Sequence, residues 1–453
     1  SIILFTCYWQ LKKNLRTAWA EKCRLLGKRQ IKVNSGATKE FSWEDLLHLI
    51  ILPTYGEGLE IIEPTLDAIA NCGYPRDKMI VVFATEEREG EAAQEKVALI
   101  RQKYGNKFGR FLVTVHPDNI IGELKGKGAN QAWAAKKVKE EIIDRENIDY
   151  DKILVNVFDI DTVIQPDYFY CLDYKFLTVA SPYRASYQPI PVYHNNIWQA
   201  PFFARVAASS NTFWQMMQQI RQEKLATYSS HSMTWQALVD IGFWSTTMVS
   251  EDSRIFWHCF CYYAGDYRVE PLYFPVSMDV CMGERFWQTA KMLYKQQRRW
   301  GWGVENLPYL SFNTIKNWRV LPLKKMISRI LIQIYGFHSW ATNALIIAII
   351  GWMPLLLGGA RFEATVLSTN LPFVARTLMI IAMVGLLLSS ILSTLLLPPK
   401  PKNFGFSKRL FMLLEWALLP VTIIVFGSLP GLEAQTRLMF GKYLGFFVTS
   451  KKR

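Results

Sequence analysis

The C-terminal third of this 453-residue chain is too apolar to face water along its whole length. No residue from 330 to 360 is charged, 377–399 is likewise uncharged, and 410–432 carries only Glu415. A helix needs about 20 consecutive apolar residues to cross a bilayer, so each run is long enough. Whatever precedes these runs must fold beside a membrane, and the charge distribution agrees. The formal net charge is +14, yet the stretches 12–32, 316–329, 400–409 and 433–453 together carry +20, leaving about −6 elsewhere. Basic residues beside apolar runs are what the cytoplasmic flanks of membrane spans carry. A nucleic-acid binder gathers them into one patch, so nucleic acid is excluded as a partner.

Within a membrane region 336–453, three spans are expected at about 336–358, 375–397 and 411–430. Ahead of them, 311–335 mixes Lys324, Lys325 and Arg329 with Leu, Met and Ile, the composition of an amphipathic helix lying in the interface. Three crossings place loop 398–409 on the side of residues 46–310 and the tail Lys451-Lys452-Arg453 on the other, against the positive-inside tendency. Either that tail folds back or the last run does not cross; the odd count is the expectation, with Glu415 near the inner interface. Segment 1–45 opens with eleven mostly apolar residues, too few to span, followed by basic ones. It reads equally as the stub of a span and as a buried or interfacial helix.

Residues 46–310 carry a different pattern. Short apolar runs at 49–53, 79–83, 111–115 and 153–158 alternate with helical periodicity at about 60–71, 91–104 and 127–143. Such alternation gives an α/β domain with a largely parallel sheet, in which ligands sit beyond the carboxyl ends of the strands. Thr54–Glu57, Thr85–Glu87 and Asp159–Asp161 all follow strands directly, so the fold gathers them in one crevice. The seven cysteines are scattered without a Cys-x-x-Cys pair, as free thiols in a reducing compartment are. His194, His231 and His258 have no metal-ligand spacing and read as packing or polar groups.

Three polar motifs follow in order. Asp159 and Asp161, two apart at a strand end, share a face and suit a hard divalent ion, Mg²⁺ or Mn²⁺, that also takes diphosphate oxygens; an acidic strand end facing water is the plainer reading. Glu251 and Asp252 offer carboxylates for taking a proton from a hydroxyl, or, with Ser250, cap a helix at 253–263. Gln296, Arg299 and Trp300 lie on one helix face, where Arg299 can grip a phosphate and Trp300 stack on a sugar. A basic helix touching lipid headgroups is the alternative. Gly126-Lys127-Gly128 adds a lysine for a phosphate, or simply a solvated helix start.

Together and in this order, Asp159-Ile160-Asp161, Ser250-Glu251-Asp252 and Gln296-Gln297-Arg298-Arg299-Trp300 resemble the membrane-integrated family 2 glycosyltransferases, the cellulose, chitin and hyaluronan synthases. The resemblance implies the type-A glycosyltransferase fold, a mixed and mostly parallel sheet, with interfacial and transmembrane helices added. It makes Asp252 the base and Glu251 a holder of the loop or acceptor. Pro53-Thr54-Tyr55-Gly56-Glu57 becomes the nucleoside cradle, Lys127 and Arg299 donor contacts, and Gln296, Arg298 and Trp300 the diphosphate and acceptor end. Where the family has an Asp pair at the base, this chain has Glu86-Glu87, and Glu86 or Glu87 can substitute. The implied activity is transfer from a nucleotide-sugar, a UDP-sugar foremost, to a growing polysaccharide, from a cytoplasmic catalytic domain at the plasma membrane. Transfer of one sugar to a lipid acceptor is the alternative, and a non-catalytic scaffold or transporter a third.

Overall fold

The computed structural model describes residues 2–349, 352–402 and 405–444. After a small hairpin of β1 (Arg29–Lys32) and β2 (Thr38–Phe41) come the strands of one large sheet. They are β3 (Leu47–Pro53), β4 (Met79–Glu86), β5 (Arg110–His116), β6 (Ile153–Val157), β7 (Val163–Ile164), β8 (Ala185–Tyr193), β9 (His231–Thr234) and β10 (Arg268–Met278). They lie in the order β5-β4-β3-β6-β9-β8-β10-β7. Strands β3 to β6 are mutually parallel, as are β8 and β10, while β9 runs antiparallel between β6 and β8.

The four expected strands are present because both faces of the sheet are covered, which lets central strands be continuously apolar. One face packs on the helices Leu59–Ala70 and Tyr168–Thr178, the other on Lys127–Val138, Trp235–Asp240 and Glu251–Tyr262. The remaining strands escape a reading by apolar runs. β8 contains Pro189 and Pro191 and β10 contains Pro271 and Pro275, residues that argue against interior strands. The pairing of β10 with β8 shifts register between Pro271 and Pro275, so the ladder bends around them. β9 is four residues long and largely polar.

This topology decides where chemistry can happen. His231, first in the antiparallel β9, pairs with Val157 near the end of β6, and Tyr193 at the end of β8 pairs with Met278 at the end of β10. The carboxyl ends of β3, β4, β6, β8 and β10 therefore share one edge with the amino end of β9.

Three helices are long and apolar enough to cross a membrane: Leu323–Ala348, Val366–Leu395 and Leu410–Met439. The first is continuous, so the boundary expected near residue 335 between an interfacial helix and a span does not exist. The helix also stops at Ala348, short of the expected end at 358, and the short helices Met353–Leu357 and Gly359–Glu363 follow. The opening segment forms a helix, Ile2–Leu15, that buries Leu4, Cys7 and Leu11 against Ile190, Val192, Phe213 and Met216. The basic tail 445–453 lies outside the described residues. All seven cysteines are free.

A polar strut crosses the buried face. His48 of β3 lies 3.1 Å from Asp173, both side chains fully buried, and the Tyr74 hydroxyl donates to Asp173 at 2.8 Å. Asn156 of β6 meets His48 at 3.2 Å and accepts from Ser232 at 2.7 Å. Removing one member of a buried polar set leaves the others unsatisfied, which costs more than the contact itself contributes. Asp173→Ala should therefore destabilise the fold by about 3 kcal/mol, read as a lowered thermal unfolding midpoint in detergent, while Asp173→Asn loses less.

Candidate active site

At the shared edge, one ammonium sits among three carboxylates. Lys127 opens the helix Lys127–Val138, and its Nζ is 2.6 Å from Asp159, 2.9 Å from both oxygens of Asp252 and 4.0 Å from Glu251. Burial alone would lower the lysine pKa, but Asp159, Asp252 and Glu251 outweigh it and raise it. Glu251 is the most enclosed of the acids, and burial, then Asp252, push its pKa up to about 8 against the pull of Lys127. Both acids stand at the start of the helix Glu251–Tyr262.

The expected helix cap is not made by the Ser250 side chain, which instead donates to Glu305 at 2.6 Å. Trp302 also donates to Glu305, at 3.1 Å, so this carboxylate joins the Glu251–Asp252 loop to the end of the motif helix. The two helices approach because residue 128 is glycine. A Cβ there would lie 2.8 Å from the Ser245 carbonyl and 3.1 Å from the Glu251 Cβ. The glycine thus serves helix packing.

Asp159 and Asp161 follow β6, but their surroundings differ. Asp159 is partly open and accepts from Lys127 and from Ser229, next to β9. Asp161 is buried and accepts from the Asp279 backbone amide at 3.0 Å, while its own carbonyl accepts from Asn195 at 3.0 Å. No cluster of three or more His, Cys, Asp or Glu side chains suited to a metal occurs among the described residues. Two carboxylates with hard oxygens nonetheless fit an ion whose other ligands are substrate phosphates. The histidines are engaged elsewhere: His194 meets Ser277 at 2.8 Å, and His258 packs edge-on to Tyr309. His231 is fully buried beside this cluster, its Nδ1 meeting the Tyr228 carbonyl at 3.0 Å.

The loop after β3 is organised by Glu57, whose Oε2 accepts from the Thr54 hydroxyl at 2.9 Å and the Tyr55 amide at 2.7 Å. Pro53 ends the strand, and Asn130 donates to the Ala84 carbonyl at 3.0 Å, tying the lysine helix to the β4 end. Of the two glutamates after β4, Glu86 is buried and ion-paired with Arg88, whereas Glu87 is exposed. Arg88 lies 3.8 Å from the centre of the Tyr55 ring. Beside them is a cavity of about 260 Å³ lined by Glu86, Arg88, His116, Asp118, Glu123 and Lys125.

The motif helix, Phe286–Gly301, closes the other side. Arg299 is close enough for its charge to act on Glu251 and Tyr193, and Trp300 faces the Tyr193 ring at 6.2 Å. Gln296, on the same face, is half-buried. Arg298, expected at the diphosphate or acceptor end, is paired elsewhere in this structure. It sits about 100° around the helix from Arg299 and pairs with Glu433 at 2.6 Å.

Tyr193 is a residue the sequence motifs do not single out. Its phenol is held well above the ordinary pKa by burial and then by Asp159, Asp161 and Asp252. Only its place in an aromatic-rich stretch hinted at it. Ser229 and Asp279 carried no such hint.

Residues 154–426, more than half of the chain, match the family model described as Glycosyl transferase family group 2. The chain belongs to this family. Among solved structures, this glycosyltransferase is similar to the mannosyltransferase PcManGT from Pyrobaculum calidifontis in complex with GDP-Man and Mn²⁺. The TM-score is 0.50 at 14% identity, over 97% of this chain and 96% of that one. S. aureus TarS 1-349 in complex with UDP-GlcNAc aligns with TM-score 0.40 at 12% identity, over 89% and 94%. At such identity the likeness to PcManGT is one of fold. No curated protein matches the sequence.

Glu251 gives this glycosyltransferase a pH-dependent stability. Its folded pKa is raised from 4.5 to about 8, so the neutral acid is favoured in the fold. That contribution is complete below pH 4.5 and lost as pH rises to about 8. Relative to Glu251→Gln, the wild type should lose stability progressively as pH rises across this window, measured by denaturant unfolding in detergent at several pH values.

Proposed function

We propose that this protein is an inverting, metal-dependent glycosyltransferase, moving a sugar from a nucleoside diphosphate donor, foremost a UDP-sugar, to a growing polysaccharide at a membrane. One observation carries this reading: Lys127 holds Asp159 and Asp252 on either side of a single ammonium, 2.6 and 2.9 Å away. A carboxylate that can face a donor diphosphate through a cation is thereby next to one that can face an acceptor hydroxyl.

The residues then have distinct tasks. Asp252 takes the proton of the acceptor hydroxyl as its oxygen bonds the anomeric carbon and the bond to the diphosphate oxygen breaks. The nucleoside diphosphate departs with that electron pair. Asp159 and Asp161 would hold a divalent ion, which supplies positive charge to the leaving diphosphate. PcManGT contains GDP-Man and Mn²⁺ in the same fold, in keeping with that class of donor and ion. Lys127 and Arg299 add positive charge from the protein, Trp300 and Tyr193 offer aromatic faces to the acceptor sugar, and neutral Glu251 can donate a hydrogen bond. Tyr55, Glu86 and Arg88 receive the nucleoside, with the Thr54–Glu57 turn as their mount. The catalytic domain is read as cytoplasmic and the apolar helices as its membrane anchor.

A lipid acceptor is the second reading, favoured by the contact between Phe203, behind the acceptor end, and Phe426 of the last apolar helix at 5.1 Å. Sizing the product of membranes fed with radiolabelled nucleotide-sugars separates the two: a ladder indicates a polymer and a single addition a lipid product.

Asp252→Asn should lower transfer at least about 100-fold while donor affinity, measured calorimetrically, stays close to wild type. Near-normal turnover in that variant reassigns the base. Asp161→Ala should weaken donor binding in the presence of Mn²⁺ and leave the weak binding under chelator unchanged. Activity that survives chelation intact removes the metal from the mechanism.

A further inference from the structure

Leu410–Met439 has the length and composition of a span, yet it carries two acidic residues and both pair with the catalytic domain. Glu415 receives Arg205 of the helix Phe202–Ile220, at 2.9 Å from Nε. Glu433 receives Arg298 of the motif helix at 2.6 Å and the Tyr294 hydroxyl at 2.9 Å. Between these anchors Trp416 stacks on Phe213 and Phe426 on Phe203, with ring centres 5.6 and 5.1 Å apart. Gly431 lies so close to Gly301 that a Cβ on the latter would come within 3.1 Å of it.

The two glutamates are separated by about 27 Å of helix, nearly the hydrocarbon thickness of about 30 Å. A crossing helix would meet lipid or other spans over that length. This one exposes much of its apolar surface and also packs on Leu323–Ala348, where Ser428 donates to the Trp340 carbonyl at 3.1 Å and Gln435 to the Phe337 carbonyl at 2.9 Å. Both of its acidic anchors are nonetheless held by helices of the catalytic domain, and the motif helix among them carries Lys291, Lys295, Arg298 and Arg299. It is also not straight. A 3₁₀ turn at Glu415–Leu418 and a π turn at Ile424–Ser428, with Pro420 and Pro430, let it follow the domain surface. Val366–Leu395, as exposed overall, differs in its anchoring. It exposes Leu367, Phe373, Leu378 and Ile381 and touches the domain near its end, where Ser393 meets Ser209 at 2.9 Å.

We propose that Leu410–Met439 does not cross the bilayer but lies along its surface as a clamp, fixed to the catalytic domain through Glu415 and Glu433. The described residues then cross twice, outward after the helix Leu323–Ala348 leaves the domain and back through Val366–Leu395. The chain leaves Met439 on the catalytic side, in line with the positive-inside tendency. Acidic residues inside an apolar segment call for a function, and here Glu433 is a positioning residue that holds the helix bearing Arg299 and Trp300.

The test uses full-length protein in sealed membrane vesicles of both orientations and a membrane-impermeant maleimide. Asn403→Cys and Ser450→Cys are compared with Ile121→Cys, at a fully exposed position on the catalytic domain. All three should label from the same side. Labelling of Ser450→Cys only from the side opposite Ile121→Cys overturns the clamp. The positioning role rests on the transferase reading above and has its own readout. Glu433→Gln should lower turnover about tenfold with donor affinity retained, and Arg298→Glu combined with Glu433→Arg should recover part of it. Unchanged turnover in Glu433→Gln refutes that role. A wild-type protein that transfers no sugar from any nucleotide donor faults the reaction assigned, not the labelling pattern.

Discussion

Everything at the sheet edge is arranged around one buried positive charge. At an effective dielectric of about 20, unit charges about 4 Å apart interact by about 4 kcal/mol, and desolvating each ion costs several kcal/mol in return. The ammonium meets acids that arrive from two directions, the end of the strand β6 and the start of one helix. Asp159 ends a strand, Glu251 and Asp252 begin a helix, and Lys127 begins another. Without the lysine the three acids would repel one another, so the parallel strands and the two helix starts are held in register partly by the charges they present.

That dependence explains which parts could be read from residues alone. Leu49–Pro53, Met79–Phe83 and Ile153–Phe158 are apolar on both faces, and the following polar residues had to emerge at one edge. The pairing of Lys127 with acids 32 and 125 positions away needed the fold. So did the second half of the sheet. Prolines in β8 and β10 and the polar, four-residue β9 remove the apolar run by which a strand is recognised; Ser229 and Asp279 went unnoticed with them, and Tyr193 was marked only by its aromatic-rich stretch.

Other sequence-based readings met local competition. Ser250 would cap a helix by accepting from its backbone amides, but its hydroxyl and its own amide both donate to Glu305 and the side chain makes no cap. Arg298 sits within a motif whose neighbours face the crevice, and helical geometry turns it toward Glu433 instead. The apolar runs do form helices long and apolar enough to cross a membrane, but composition does not report which face of a helix meets protein. Leu323–Ala348 shows this plainly, with a basic start and an apolar end in one uninterrupted helix.

Gly128 shows how finely such a charge cluster depends on steric fit. The lysine and the acids belong to helices that touch at this glycine, with no room for a methyl group between them. Hydrogen at that position works as the thinnest available shim. Even alanine would act as a wedge, widening the gap across which Lys127 reaches Asp252 and loosening the electrostatic contact without altering any charged residue. The spacing of the reactive groups is thus encoded by an atom the sequence leaves out.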